Sequence, residues 1–179
     1  MQKLNLPVFT ILLLALTGGC APMAGVQRQE VKAPDRNSPP ADCPVTIRGS
    51  SSFEPPASFS LNLPLPSQFW FCSTDLWTSL PTDGIWAELP KNPDGYTQKI
   101  FWWSDSFSIA DEPEPVLVVF GERLDADAPP LKTYGATNAS AADIGEAMLT
   151  GVDFPTEGCW EVTGQYKKIS LSFYVWITP

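Results

Sequence analysis

Two alternating runs near the C-terminus decide the fold: residues 158–177 read GCWEVTGQYKKISLSFYVWI. The first run places Trp160 on one face of a strand and Cys159 on the other, because successive side chains of a strand point to opposite faces. The second run alternates in the same way, and its inward candidates are Leu171, Phe173, Val175 and Ile177. Lys167 and Lys168 fit a tight turn between the runs. The stretch therefore predicts a β-hairpin with Trp160 in the core.

Upstream of this hairpin, short apolar or alternating runs are separated by turn residues. They lie at residues 69–71, 85–89, 99–103, 116–120 and 147–152. This rhythm is typical of an all-β protein with two packed sheets, and we expect an immunoglobulin-like β-sandwich over residues 43–179. The run VLVVF at 116–120 has the composition of a buried strand. Residues 140–148 are the one helical candidate, with Ser140 and Asp143 as a capping box.

The N-terminus has the three parts of a secretory signal. Lys3 supplies the positive charge, residues 8–16 form an apolar run too short to span a bilayer, and small residues precede Cys20. The pattern resembles the bacterial lipoprotein signal, which implies cleavage after residues 1–19 and a lipid anchor on Cys20. The alternative is an ordinary secretory signal that is cut near Ala21.

The segment after the signal changes character twice. Residues 20–42 contain no aromatic side chain and are rich in Pro and small or charged residues, so they cannot bury enough apolar surface to offset the entropy of ordering. We interpret them as a flexible tether. Residues 43–67 remain rich in Pro but carry Phe53, Phe59 and several leucines. They predict an extended strap that lies on the surface of the sandwich domain.

The charge of the chain restricts its partners. The sequence has 11 Lys and Arg against 20 Asp and Glu, a net charge of −9, and removal of the signal peptide takes away Lys3 and no acid. Nucleic acid is therefore an unsuitable partner. Anionic headgroups would repel the protein surface, so contact with a membrane is expected through the acyl chains on Cys20. The expected location is the exported side of a bacterial membrane.

The chain contains no histidine, which removes Ser-His and Cys-His nucleophilic pairs and His-ligated zinc. No phosphate-binding loop, metal-ligand spacing or cofactor motif is present in the sequence, so we expect neither enzyme activity nor a cofactor or metal. A pair of acids could still support a glycosidase, which stays an alternative. Solvated loops explain the acid-rich residues 105–127 better than a weak calcium site does. Arg123 is expected to pair with a neighbouring acid and not to bind an anion.

Trp102 and Trp103 are adjacent, so in a strand they point to opposite faces and cannot enter the same core. One of the two must find other cover or stay exposed. Exposed tryptophans can stack on sugar rings, and a glycan-binding module that uses Trp102 or Trp103 together with Trp176 is therefore an alternative function. Cover by the strap is the interpretation that we favour, since tryptophan is usually well buried.

Several strings of the chain together carry a resemblance. They are FWF at 69–71, LWT at 76–78, DGIW at 83–86, KIFWW at 99–103, RLD at 123–125 and GCWEVT at 158–163. With these strings, residues 43–179 resemble a family of uncharacterised bacterial envelope lipoproteins. The resemblance implies a fold and a location and no activity. We therefore expect a non-catalytic binding or structural module of the cell envelope, with an envelope protein or a glycan as its partner.

Three cysteines follow Cys20, and in an oxidising compartment they can form one bond and leave one thiol. We favour Cys43 with Cys159, which would clamp the strap to the sheet from outside, because Cys159 lies on the face opposite Trp160. This differs from the inter-sheet bond of antibody domains, whose cysteines point inward. The competing pair is Cys43 with Cys72, which closes a shorter loop.

Overall fold

The computed structural model describes residues 38–49, 53–56, 59 and 65–179. The predicted signal peptide at 1–19, Cys20 and most of the predicted tether at 20–42 lie outside the described residues. Within those described residues the chain forms strands and no helix, so no helix there is long and apolar enough to cross a membrane. The strands are β1 (Gln68–Ser73), β2 (Leu76–Pro81), β3 (Ile85–Trp86), β4 (Lys91–Asn92), β5 (Gly95–Trp103), β6 (Val118–Arg123), β7 (Lys132–Thr133), β8 (Thr137–Ala141), β9 (Gly145–Phe154), β10 (Gly158–Tyr166) and β11 (Ile169–Ile177).

The strands form two packed sheets, which confirms the predicted all-β, two-sheet architecture. The seven-stranded sheet has the order β1-β2-β5-β9-β7, with β4 paired to β5 and β8 paired to β9. The four-stranded sheet has the order β3-β11-β10-β6. Its pairs are antiparallel except for the short parallel contact between β3 and β11. β6 therefore lies at an edge of the four-stranded sheet.

The core lies between the sheets, and the C-terminal hairpin supplies much of it. Residue Gly158 faces Ile177 and Tyr166 faces Ile169, so only Lys167 and Lys168 form the turn, as predicted. All four predicted inward residues of β11 are buried, as are Trp160 and Val162 of β10. The Trp160 ring packs edge-on against Phe154 of the opposite sheet, with 5.5 Å between ring centroids. The assignment of faces in this hairpin is therefore confirmed.

The prediction of a helix at residues 140–148 is wrong, because this segment forms the β8–β9 hairpin. The Ile144 N–H donates to the Ala141 carbonyl at 3.2 Å, and Gly145 follows in the left-handed region with φ 65°. A turn followed by a left-handed glycine is a common three-residue hairpin loop. β9 also pairs with β5 on its other edge, whereas a helix this short is marginal on its own. Long-range strand pairing thus overrides the local capping pattern.

Candidate binding surface

The adjacent tryptophans of β5 lie on opposite faces of the seven-stranded sheet, and both are buried. Trp102, 0 % exposed, enters the core and packs against Gly164, where a β-carbon would lie 2.4 Å from a ring carbon. Trp103, 1 % exposed, lies on the outward face and packs edge-on against Trp70 with 5.0 Å between centroids. Its indole N–H donates to the Ile144 carbonyl at 2.9 Å. Neither ring presents a face on which a sugar could stack.

Aromatic side chains of the predicted strap cover this outward face. Trp70, Trp77, Trp103 and Ala147 form a second apolar cluster there, separate from the core between the sheets. Phe59 packs edge-on against Trp77 at 5.1 Å between ring centroids, and Phe53 is tilted against the same ring at 5.6 Å. Without such cover, the outward tryptophans would expose a large aromatic area. The tryptophan rings at this end of the seven-stranded sheet are therefore covered by the chain itself, although a cavity of about 420 Å³ lies beside them, lined in part by Phe53, Trp70 and Cys72.

The other end of the same outward face is covered by a polar network around Asp153. The Thr97 hydroxyl and the Tyr134 hydroxyl each donate to the buried carboxylate at 2.6 Å, and the Asn92 amide donates at 3.0 Å. The Tyr134 ring also lies against Gly151, where there is no side chain to displace it. Burial raises the pKa of Asp153, but the three hydrogen bonds outweigh it, so that the pKa lies below its usual value.

Cys43 and Cys159 form the disulfide, as predicted, with 5.7 Å between their α-carbons. Cys159 points outward from β10, so the bond fixes the segment that begins at Cys43 to the outer face of the four-stranded sheet. Trp176, the third predicted ligand residue, is half-buried beside this bond, because it faces Cys159 in the hairpin register. Cys72 is the free cysteine, and burial raises the pKa of its thiol. The competing Cys43–Cys72 pair is therefore wrong.

The segment that follows Cys43 continues along the edge of the four-stranded sheet. The Thr46 N–H donates to the Tyr174 carbonyl at 2.8 Å, and the Tyr174 N–H donates to the Thr46 hydroxyl at 2.9 Å. Val45 lies next to Gly84, where a β-carbon would be only 2.8 Å from the valine side chain. The disulfide and these contacts cover the β3–β11 side of the outer face.

The β6 side of that outer face remains open, which corrects the prediction of a fully buried strand at 116–120. Leu117 and Val119 point into the core and are buried. Their neighbours point outward: Val116 is 57 % exposed, Val118 is 56 % exposed and Phe120 is 50 % exposed. The reason is that only one face of this segment packs on the core, so half of an all-apolar run must face out. The run VLVVF was the signal, but its periodicity alone cannot distinguish a strand buried on both faces from one left open.

We call this region the open surface and define it by the outward side chains of two neighbouring strands. Val118 faces Gln165, Phe120 faces Thr163 and Glu122 faces Glu161 in the β6–β10 register. A shallow cavity of about 370 Å³ lies on it. Its lining consists of Phe120, Gly121, Glu122, Pro130, Glu161 and Thr163. The members of the open surface are Val116, Val118, Phe120, Glu122, Glu161, Thr163 and Gln165.

Arg123, on the other side of β6, does not reach the open surface, because its guanidinium binds Asp125 through two contacts of 2.7 and 3.1 Å. It also donates to the Thr156 hydroxyl at 3.1 Å. The hydrogen bond from Arg123 lowers the pKa of Asp125, and the same bond raises the pKa of Arg123. The predicted pairing of Arg123 with a neighbouring acid is confirmed, and the guanidinium has a structural role.

Metal ligation finds no support in the part of the chain that the structure describes, where no group of three or more acid or cysteine side chains could hold a metal ion. The acid-rich residues 105–127 are spread instead over several local contacts. Asp125 pairs with Arg123, and Glu112 accepts a hydrogen bond from the Tyr166 hydroxyl at 2.8 Å. The open surface is therefore apolar with two acidic side chains, Glu122 and Glu161, at one end.

Comparison of the chain with protein-family models, with curated proteins and with solved structures gives no match.

Proposed function

We propose that this chain is a lipid-anchored, non-catalytic interaction module of the bacterial cell envelope, built as an immunoglobulin-like sandwich that binds a partner through the open surface. The observation that carries the proposal is the exposure of Val118 and Phe120 on one face of β6, together with Val116 just before the strand. Single exposed apolar side chains are ordinary, but three at alternate positions of one segment form a contiguous patch. Such patches are typical of sites that bind another molecule.

The cover of the other outward surfaces strengthens this interpretation. Tryptophans on the seven-stranded sheet are closed off by Phe53 and Phe59, and the disulfide covers the far side of the four-stranded sheet. Other segments of the chain thus cover outward apolar side chains elsewhere, whereas those of β6 stay exposed. An uncovered apolar row in contact with water favours aggregation, and binding to a partner would remove this cost.

The disulfide supports the proposed location. Disulfides form and persist in oxidising compartments outside the cytoplasm, and Cys43–Cys159 joins residues 116 positions apart. The signal features before Cys20 agree with export and with a lipid anchor. The two packed sheets and the inward Trp160 support the sandwich, although the disulfide lies outside the sheets and not between them.

The anchor is tested by Cys20→Ala in the full chain, followed by membrane fractionation and by labelling with a radioactive fatty acid. We expect the variant to lose the label and to appear in the soluble fraction or as an unprocessed precursor, because Cys20 is the one cysteine beside the signal. Cys72→Ala is the matched control and should keep both label and membrane attachment. Membrane retention of fully processed Cys20→Ala protein would contradict the lipoprotein assignment.

Binding is tested by placing the photo-crosslinking residue p-benzoylphenylalanine at position 118 of the full chain in living cells. We expect an adduct with another macromolecule after irradiation, whose mass-spectrometric identity distinguishes a protein from a glycan. Thr133 is the control position, because it is exposed on β7 of the other sheet. Equal adduct formation at 118 and 133, or none at 118, would contradict a binding role for the open surface.

A further inference from the structure

The strand positions of the open surface carry negative charge and no positive charge, and Lys167, near its Val116 end, is paired with Glu112. Glu122 of β6 and Glu161 of β10 face each other directly in the sheet register. No outward strand position of β6, β10 or β11 holds Lys or Arg; these positions are Val118, Phe120, Glu122, Cys159, Glu161, Thr163, Gln165, Ser170, Ser172, Tyr174 and Trp176. The nearest basic side chain in sequence, Arg123, is held by Asp125. A partner that binds the apolar patch would therefore also lie next to Glu122 and Glu161.

Two like charges that face each other across neighbouring strands destabilise the sheet. Directly opposed residues of an antiparallel pair have α-carbons only about 5.5 Å apart or closer. A cation placed between Glu122 and Glu161 would convert their repulsion into two attractive contacts. A basic group of a ligand would therefore be attracted to the two glutamates, and an acidic group would be repelled.

Phe120 adds a second element to the same place. It lines the shallow cavity together with both glutamates and Pro130. The face of an aromatic ring attracts Lys and Arg groups, and their aliphatic stems pack well on apolar surface. Beyond Phe120, the exposed side chains of Val118 and Val116 offer only apolar contact. One end of the open surface therefore suits a basic side chain, and the other end suits an apolar side chain.

A second copy of this chain is a poor occupant. Each copy carries a net charge of −9, and pairing two open surfaces would bring two acidic borders together. The edge of β6 is also partly closed, because the Leu131 N–H donates to the Gly121 carbonyl at 3.0 Å. Edge-to-edge sheet extension would have to break this contact. Charge and edge cover both favour a different partner that docks on the face of the strand.

Building on the proposed function, we infer that the partner is a basic protein segment, with a Lys or Arg between Glu122 and Glu161 and an apolar side chain over Val118. Glu122 and Val118 lie four residues apart on β6, which is about 13 Å along a strand. An extended segment matches this spacing with side chains at i and i+4, since they share one face. The apolar contacts supply most of the affinity, and the glutamates select the charge of the partner.

The test uses the full chain, purified from membranes in a non-ionic detergent, and fluorescein-labelled peptides measured by fluorescence anisotropy. The basic probe is Lys-Ser-Val-Ser-Val-Ser, which in an extended conformation has Lys and both Val side chains on one face, and the matched controls replace Lys by Gln or by Glu. We expect saturable binding of the basic probe and weaker binding of the Gln and Glu peptides. Raising the salt concentration should weaken the basic complex, because its charges are close to solvent.

Two variants assign the binding to the open surface. Phe120→Ser should weaken the basic probe about tenfold, and Glu161→Gln should weaken it up to about fivefold, the size expected for an exposed charge pair. Both side chains face outward, so unchanged thermal melting shows that each variant is folded. Thr133→Ser, on the other sheet, should leave binding unchanged.

Three outcomes would overturn the inference: equal binding of the Glu peptide, no loss of binding in folded Phe120→Ser and Glu161→Gln, or absence of binding by every probe. A concentration-dependent dimer in analytical ultracentrifugation that Val118→Asp dissociates would also overturn it in favour of a second copy. In each case a photo-adduct at position 118 in cells would still support the proposed function. Loss of that adduct would remove the function together with the inference.

Discussion

The outward faces of the two sheets carry similar apolar side chains but differ in how the chain covers them. On the seven-stranded sheet, Trp77 lies beneath Phe53 and Phe59, and Asp153 lies beneath Tyr134. On the four-stranded sheet, the Cys43–Cys159 bond covers one side, and the apolar row of β6 stays exposed. The covered face of the seven-stranded sheet contributes to the stability of the fold. The exposed row of β6 leaves apolar area in contact with water.

Similar apolar side chains are covered on one sheet and exposed on the other. Hydrophobicity alone therefore does not determine which of them the chain covers. Covering about 100 Å² of an indole ring contributes about 2.5 kcal/mol, a large part of the total stability of a small domain. The same gain would be available at Phe120 if the chain covered it. The half-exposed Phe120 is the feature on which the proposed contact with another molecule rests. The predictions below test this contrast between the covered and the open face.

The largest effect is expected inside the core, which serves as the reference for both outward faces. Trp160→Ala should lower the free energy of unfolding by about 3 to 5 kcal/mol, because the ring is fully buried and its N–H donates to the Thr156 carbonyl at 3.0 Å. Urea denaturation followed by circular dichroism measures this loss. A loss below about 1 kcal/mol would contradict the assignment of Trp160 to the core.

The disulfide should have the next largest effect. The double variant Cys43→Ser with Cys159→Ser should lose about 2 to 4 kcal/mol, since the bond closes a long loop in the unfolded chain. Thermal melting with and without dithiothreitol measures the difference, and Cys72→Ser should melt like the wild type in both conditions. Peptide mapping without reduction that found Cys43 bonded to Cys72 would contradict the structure.

A matched pair of phenylalanines tests the comparison directly. Phe59→Ala should cost about 1 to 2 kcal/mol, because this half-buried ring packs on Trp77, and tryptophan fluorescence should shift to the red. Phe120→Ala should change stability by less than about 0.5 kcal/mol, because half of the side chain is already exposed. Equal losses in the two variants would remove the distinction between a covered and an open face.

The smallest effect is expected at the polar end of the covered face. The pKa of Asp153 is lowered in the folded state, so its contribution to stability is complete above the unfolded pKa of about 3.9 and is lost as the pH falls through the folded pKa. Tyr134→Phe removes one donor and raises the folded pKa of Asp153. Acid unfolding, followed by circular dichroism, should then begin at a pH higher by less than about one unit. Tyr174→Phe is the control, and an unchanged acid midpoint in Tyr134→Phe would contradict the role of this hydrogen bond.

Local alternation was enough to predict the C-terminal hairpin. The facing of Cys159 and Trp160, the short turn and the inward side chains of β11 follow from the period of two residues. The disulfide followed from this facing, because an outward cysteine can bond only a segment that lies outside the sheet. The capping pattern at 140–148 failed, because β9 pairs on both edges and those pairings are not encoded locally.

The sequence by itself determined the all-β class and the opposed faces of Trp102 and Trp103, because both depend on short-range alternation. It favoured the Cys43–Cys159 bond over Cys43–Cys72, and the structure decided between them. Only the tertiary structure decided which outward faces are covered. Trp103 is buried because a distant segment of chain lies over its sheet, and Phe120 is half-exposed because its face of β6 is left uncovered. Cover depends on which segments meet in three dimensions, and the period of a strand carries no information about what lies above it.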